Sequence, residues 1–195
     1  MRFGASGTGI ERRRARHASG FTFVETLIVC AVMLLLATLA IPSFATWQQR
    51  QRVEASMRML LASMSYARSE AVRIGLPVVI CRTDGDGRCV LNGGYDFGRD
   101  RVPVDWATGW VIALETGHGQ RVLRTHVPAP GVRIRGAAHA IRFRPPAGQV
   151  IGGFRSFEIA PTGARHGASA QAARRCVSIA AGGRARVSAE CGRHV

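Results

Sequence analysis

A long apolar run that ends at Ile41 has one acidic residue near its beginning, Glu25. The run is about the 20 residues that a helix needs to cross the hydrocarbon core of a bilayer. A charged side chain in hydrocarbon costs at least about 2.5 kcal/mol, so an acid there indicates a function and a partner. Cleavage after Gly20 would create an amino group on Phe21, and this amine of one subunit could pair with Glu25 of its neighbour. The sequence therefore predicts a membrane-spanning helix over residues 21–41.

The residues before this run form a basic leader, residues 1–20, which ends in Gly20. The leader, a glycine and a phenylalanine around the cut, and an acid at the fifth mature position resemble the processing signal of type IV pilins and pseudopilins. The resemblance implies that a prepilin peptidase cuts between Gly20 and Phe21 and methylates the nitrogen of Phe21. It also implies that Glu25 acts in assembly, and that the protein is a single-pass inner-membrane protein with a periplasmic domain.

Two simpler interpretations of this segment remain open. An ordinary secretory signal peptide would also have a basic segment, an apolar core and small residues near its end, here Ala37, Ala40 and Ala45. Such a peptide has no use for an acid at the start of its core. A plain single-pass anchor would need only the apolar run. Sequencing of the mature N-terminus distinguishes the three interpretations.

The helical pattern continues beyond the apolar run. Pro42 interrupts it, which is expected to bend the helix or loosen one turn. Past Pro42, apolar residues recur at helical spacing and predict a buried stripe, whereas Gly75 and Pro77 are a stop signal. We therefore expect one helix over Phe21–Ile74, with a periplasmic continuation over residues 42–75. The stripe consists of Val53, Met57, Leu60, Leu61, Met64, Ala67 and Ala71.

From residue 76 to residue 195, short β-rich runs alternate with glycine-rich turns. In Val132–Arg135 and Ala140–Arg144, apolar side chains alternate with arginines, which is typical of a strand with one buried face. Short strands and one long helix predict an α+β fold, in which an antiparallel β-sandwich-like domain over residues 76–195 packs against the helix. The predicted strands are Leu76–Arg82, Trp110–Glu115, Arg121–Val127, Val132–Arg135, Ala140–Arg144, Phe154–Ala160, Cys176–Ala180 and Arg184–Ala189.

Several phrases of this domain, taken in order, resemble the GspH/FimT family of minor pilins and pseudopilins. The resemblance implies a long N-terminal helix on a β-sandwich-like domain, and helix packing with other pilins. It implies a structural subunit in the tip or priming complex of a type IV pilus or a type II secretion pseudopilus. A lone membrane-anchored binding module is a further alternative. The phrases are Thr108-Gly109-Trp110-Val111-Ile112, Ile141-Arg142-Phe143, Cys176-Val177-Ser178-Ile179 and Gly183-Arg184-Ala185-Arg186-Val187.

The five cysteines divide into Cys30 in the apolar run and four in the expected soluble part. Cys81 and Cys89 are close in sequence, and so are Cys176 and Cys191. Export permits disulfides, and local pairing would close two short loops, each stabilising by roughly 2–4 kcal/mol. Zinc is the alternative for four cysteines, although no C-x-x-C spacing occurs. The compartment and the spacing favour two disulfides.

Little in the sequence supports catalysis, a metal or a cofactor. All 27 basic residues are arginine, which excludes lysine nucleophiles and a P-loop lysine. The histidines are scattered, and no G-x-S-x-G elbow or phosphate loop is present. Asp84-Gly85-Asp86-Gly87 resembles the start of a calcium loop, but the closing acid is missing, so a tight turn between Cys81 and Cys89 is the better interpretation. We expect no enzyme activity, no metal and no cofactor.

The net charge of the chain is +15, and residues 1–20, with five arginines and one glutamate, account for four of these charges. The remaining eleven lie in the part that is expected to be exported. Such a surplus attracts polyanions, either nucleic acid or an anionic envelope surface. Solubility and codon usage are the alternative explanation.

The basic C-terminal stretch suggests where a polyanion would bind. Gly183-Arg184-Ala185-Arg186 resembles the G-R-x-R motif by which FimT-type pilins bind DNA. Arginines at i and i+2 of a strand point to one face and can contact two phosphates of double-stranded DNA, and the glycine would let the turn approach the DNA backbone. The alternatives are a charge-guarded edge strand and a type II secretion pseudopilin that contacts pseudopilins and exported proteins without binding DNA. The candidate DNA-binding residues are Arg184, Arg186, Arg174, Arg175 and Arg165.

Overall fold

The computed structural model describes residues 21–90, 104–117, 119–136, 138–151, 155–163, 172–188 and 191, with no side chains described at residues 39–43. One α-helix, α1, spans Phe23–Ile74. The strands are β1 (Val78–Arg82), β2 (Val104–Asp105), β3 (Trp110–Thr116), β4 (Gly119–His126), β5 (Val132–Gly136), β6 (Ala140–Arg144), β7 (Gln149–Val150), β8 (Arg155–Pro161), β9 (Arg175–Ile179) and β10 (Ala185–Ser188). The chain divides into two compact units, an N-terminal unit that ends at Ser43 and a second unit that begins at Phe44.

In the N-terminal unit, the large apolar side chains of α1 between Phe23 and Leu36 are exposed to solvent. Among the residues that the structure describes, no helix is both long enough and apolar enough to cross a membrane. The sequence-based prediction of a membrane span over residues 21–41 is not confirmed by this finding.

In the second unit, one stripe of α1 is buried and is part of the hydrophobic core. Val53, Leu60 and Ala67 are fully buried, and they recur every seven residues because two helical turns bring a residue back to the same face. Two buried serines also lie on α1. Their hydroxyl groups need hydrogen-bond partners because they are shielded from water. Ser63 accepts a hydrogen bond of 2.9 Å from the indole nitrogen of Trp110. Ser56 accepts one of 3.1 Å from the backbone of Ala129.

Two five-stranded sheets pack on this stripe, with the strand orders β4-β3-β1-β6-β7 and β10-β9-β8-β5-β2. Every strand pair among the described residues is antiparallel. Both sheets contribute to one core cluster with α1, for example through Ile80 of the first sheet and Phe157 of the second. The alternation predicted for β5 and β6 is present, since their apolar residues are buried or half-buried and their arginines are exposed or half-buried.

The predicted fold class is confirmed for the helix and the antiparallel sheets, and α1 ends at Ile74 as expected. Gly75 follows it with a φ of +72°, the left-handed conformation in which glycine commonly ends a helix. Each of the eight predicted strands corresponds to an observed strand whose ends lie within two residues. The prediction missed β2 and β7 because strands of two residues carry no periodic signal.

Candidate functional site

At the N-terminal end of α1, Glu25 forms a reciprocal capping arrangement with Thr22. The backbone nitrogen of Glu25 donates to the Thr22 hydroxyl at 3.2 Å, and the backbone nitrogen of Thr22 donates to the Glu25 carboxylate at 3.5 Å. This is a capping box, which satisfies backbone donors that a helix leaves free. The T-x-x-E spacing of Thr22 and Glu25 is the sequence signal that indicates this cap. Gly20 lies outside the described residues, so the cleavage site stays a prediction.

In the second unit, a groove of about 520 Å³ runs between α1 and the turn that leads into β10. One wall comes from α1 and consists of Ser65, Arg68, Ser69, Val72 and Arg73. The other wall consists of Gly183, Arg184, Ala185 and Arg186. We call this feature the α1–β10 groove. Of the described residues that line it, four carry a guanidinium group and none carries a carboxylate.

Gly183 fixes the position of the β10 wall. It is buried and has a φ of +75°, and a Cβ atom at this position would collide with the carbonyl oxygen of Gly148. The backbone of Ala181 also accepts a hydrogen bond of 2.8 Å from Val150. The sequence suggested that this glycine approaches the DNA backbone closely, but in the structure its partner is the β6–β7 turn of its own chain.

Arg184 and Arg186 are exposed and line the groove together. Arg186 lies in β10 opposite Ser178 of β9, and Arg184 directly precedes the strand. Within the described part of the chain, neither arginine is in an ion pair. Their guanidinium donors therefore face solvent, where an anion can reach them.

The α1 wall adds two arginines that no sequence pattern had indicated. The Nη2 atom of Arg68 donates to the carbonyl oxygen of Ala147 at 3.2 Å, and its side chain packs on Gly148. Arg73 forms an ion pair of 2.6 Å with Glu70. The hydrogen bond between them lowers the pKa of the Glu70 carboxyl and raises the pKa of the Arg73 guanidinium, so both stay charged at neutral pH.

The other predicted DNA-binding residues are arranged differently. Arg174 pairs with Glu158 at 3.0 Å, and Arg175 pairs with Glu54 at 3.4 Å. Neither lines the α1–β10 groove. Arg165 lies outside the described residues. The structure thus brings together Arg184 and Arg186, while it gives Arg174 and Arg175 acidic partners within the chain.

The cysteines of the second unit form the two predicted disulfides. Cys81 joins Cys89 with a Cα–Cα distance of 5.5 Å, and Cys176 joins Cys191 with 5.1 Å. The segment between Cys81 and Cys89 forms a tight turn, in which the backbone of Asp86 donates to Asp84 at 3.0 Å. Across the described residues, no group of three or more His, Cys, Asp or Glu side chains is placed to hold a metal ion.

Comparison with known proteins finds a matching family and solved structures with a similar fold. The family model described as type II transport protein GspH matches residues 56–183. A crystal structure of the type IV minor pilin FimU from Pseudomonas aeruginosa strain PAO1, in space group P21, has a TM-score of 0.54 and 20% identity, and the match covers 76% of this chain and 98% of that one. A second crystal structure of FimU, in space group P65, has a TM-score of 0.50 and 21% identity, and the match covers 72% of this chain and 98% of that one. No curated protein matches the sequence.

Proposed function

Because the chain belongs to the GspH family of type II transport proteins, we propose that it is a minor pilin or pseudopilin, a structural subunit of a type IV pilus or a type II secretion pseudopilus. The observation that carries this proposal is the family match over residues 56–183, supported by a fold like that of a type IV minor pilin. Its place is in the tip or priming complex of the filament. Its work is structural and needs no catalytic group.

In this proposal, the N-terminal part of α1 mediates assembly of the subunit into the filament. A prepilin peptidase cuts after Gly20 and methylates Phe21, and the apolar half of the helix holds the precursor in the inner membrane with the second unit in the periplasm. The exposed apolar side chains between Phe23 and Leu36 support burial against lipid and then against the helices of other subunits. Glu25 pairs with the Phe21 amine of a neighbour and thereby sets the register between them.

The proposal also includes DNA binding by the exposed domain, through Arg184 and Arg186. Both side chains are exposed and lie on the same wall of the α1–β10 groove, which supports DNA binding there. Guanidinium groups contact phosphate oxygens with paired hydrogen bonds and read no sequence, so the binding is general for DNA and weakens with salt. Arg174, Arg175 and Arg165 are secondary candidates, and DNA would reach the first two only by competing with their acidic partners.

The experiment is a salt titration of DNA binding by the full chain in detergent, measured by fluorescence anisotropy with labelled duplex DNA. The variant Arg184→Gln with Arg186→Gln should bind more weakly, and the slope of log K against log salt should fall by about 0.9 for each phosphate that is no longer neutralised. The matched control is Arg133→Gln with Arg135→Gln, which removes the same charge from i and i+2 of β5 in the same sheet. Equal weakening in both variants would contradict a specific site.

The competing function is that of a type II secretion pseudopilin that contacts pseudopilins and exported proteins without binding DNA. The description of the matching family as a type II transport protein favours it. The same titration distinguishes the two functions. Absence of DNA binding by the unmodified chain at low salt would exclude the DNA-binding function and favour the secretion alternative.

A further inference from the structure

The α1–β10 groove has a second basic wall, on α1, which the proposed DNA-binding function does not use. Arg68 and Arg73 lie more than a hundred residues before Arg184 and Arg186 in the sequence, yet all four line the same groove. None of the described lining residues is acidic. An anion that enters the groove therefore meets positive charge on both sides, and its own charge is not opposed by a carboxylate of the lining.

The two walls are held together by a three-way contact centred on Gly148. The Arg68 side chain packs on one side of Gly148, and the backbone of Gly183 approaches its carbonyl oxygen on another. The hydrogen bond from Arg68 to Ala147 and the one from Val150 to Ala181 lie beside this contact. The width of the groove is thus set by packed backbone and not by long side chains alone, and such preorganisation lowers the ordering cost of binding.

We propose that the α1–β10 groove binds the phosphate backbone of one DNA strand between its two walls, with Arg68 and Arg73 contacting phosphates opposite Arg184 and Arg186. This inference rests on the proposed DNA-binding function and adds to it a second set of binding residues. Arg68 has guanidinium donors left after its one bond to Ala147. Arg73 donates two hydrogen bonds to Glu70, so fewer of its N–H groups are available to a phosphate.

The test uses the full chain in detergent and labelled duplex DNA. Arg68→Gln with Arg73→Gln should weaken binding and lower the salt slope by up to about 1.8, the value for two phosphates that are no longer neutralised. The glutamine at position 68 keeps the methylene groups nearest the backbone, and a thermal unfolding scan verifies the fold. The control is Arg50→Gln with Arg58→Gln, which removes the same charge from residues of α1 that do not line the groove. Like Arg73, Arg58 is in an ion pair with a glutamate of the same helix, Glu54.

A second variant should have the opposite effect, a gain of affinity. Glu70→Gln releases Arg73, so DNA affinity should rise and the salt slope should steepen. Glu115→Gln adds the same charge and breaks the ion pair with Arg142, which does not line the groove, so it should raise the affinity less. The increase from Glu70→Gln should disappear when Arg73→Gln is added.

The outcomes separate the inference from the function on which it rests. If the α1 pair of substitutions weakens binding no more than its control, while the β10 pair still weakens it, the second wall is excluded and the proposed function stands. If Glu70→Gln and Glu115→Gln raise the affinity equally, the role of Arg73 is excluded. If the unmodified chain does not bind DNA at low salt, the DNA-binding function itself is excluded, and the second wall with it.

Discussion

The carboxylate of Glu25 caps its own helix through Thr22 in the structure, and in the proposed filament it pairs with the amino group of a neighbouring subunit. Substitutions separate these roles. Glu25→Gln keeps an acceptor that fits a capping box but removes the charge, whereas Glu25→Ala removes both. If charge pairing drives assembly, both variants should be poorly recovered in sheared filaments, as measured by immunoblot. Recovery of Glu25→Gln at the unmodified level would show that capping alone accounts for the residue.

Gly183 is expected to be among the least replaceable residues of the second unit. Alanine in its left-handed conformation costs about 1–3 kcal/mol of stability through the backbone alone, and its Cβ would also collide with the Gly148 carbonyl oxygen. Gly75 is the matched control, because it has a similar φ of +72° but no described atom within 4 Å of the place that an alanine Cβ would take. Urea unfolding should show a larger destabilisation for Gly183→Ala than for Gly75→Ala. Equal destabilisation would mean that the approach to Gly148 contributes nothing.

Single residues also show where sequence reasoning reached its limit. The pairing of Cys81 with Cys89 and of Cys176 with Cys191 followed from short separations and was confirmed. The ion pairs of Arg174 and Arg175 could not be predicted, because Glu158 and Glu54 become their neighbours only through the sheet order and the docking of α1. A charge count along the chain does not reveal such partners.

At the scale of elements, one face of α1 is buried in the core that it shares with both sheets. Leu60 is fully buried, while its neighbour Met59 is 38% exposed. Leu60→Ala should lower the free energy of unfolding by about 2–5 kcal/mol, since it removes apolar packing and leaves a cavity. Met59→Ala should change it by much less, because surface substitutions commonly stay within about 0.5 kcal/mol. Similar destabilisation of both variants in urea unfolding would contradict the assignment of this face to the core.

The elements were predictable wherever their residues repeat with a period. The stripe of α1 and the stop at Gly75 are local patterns, and so are the alternations of β5 and β6. The sheet order was not predictable, because β1 pairs with β3 and β6, which are distant in sequence. The two-residue strands β2 and β7 exist only as partners of β5 and β6, so no pattern of their own could indicate them.

At the scale of the whole molecule, the α1–β10 groove was predictable only in part. The G-R-A-R phrase indicated its β10 wall, since its arginines are near one another in sequence. Arg68 lies off the apolar stripe of α1, and such a position in a sequence predicts only a solvated side chain. The groove arises because the α1 face and the last hairpin meet at Gly148, and this meeting is a property of the tertiary fold that local spacing does not encode.

The central claim is that this chain is a processed pilin-type subunit, and intact-mass spectrometry of the protein isolated from its native host tests it most directly. We predict a chain that begins at Phe21 with a methylated amino group and that contains the two disulfides seen in the structure. A mature protein that keeps residues 1–20, or one that begins near Ala45, would contradict the claim.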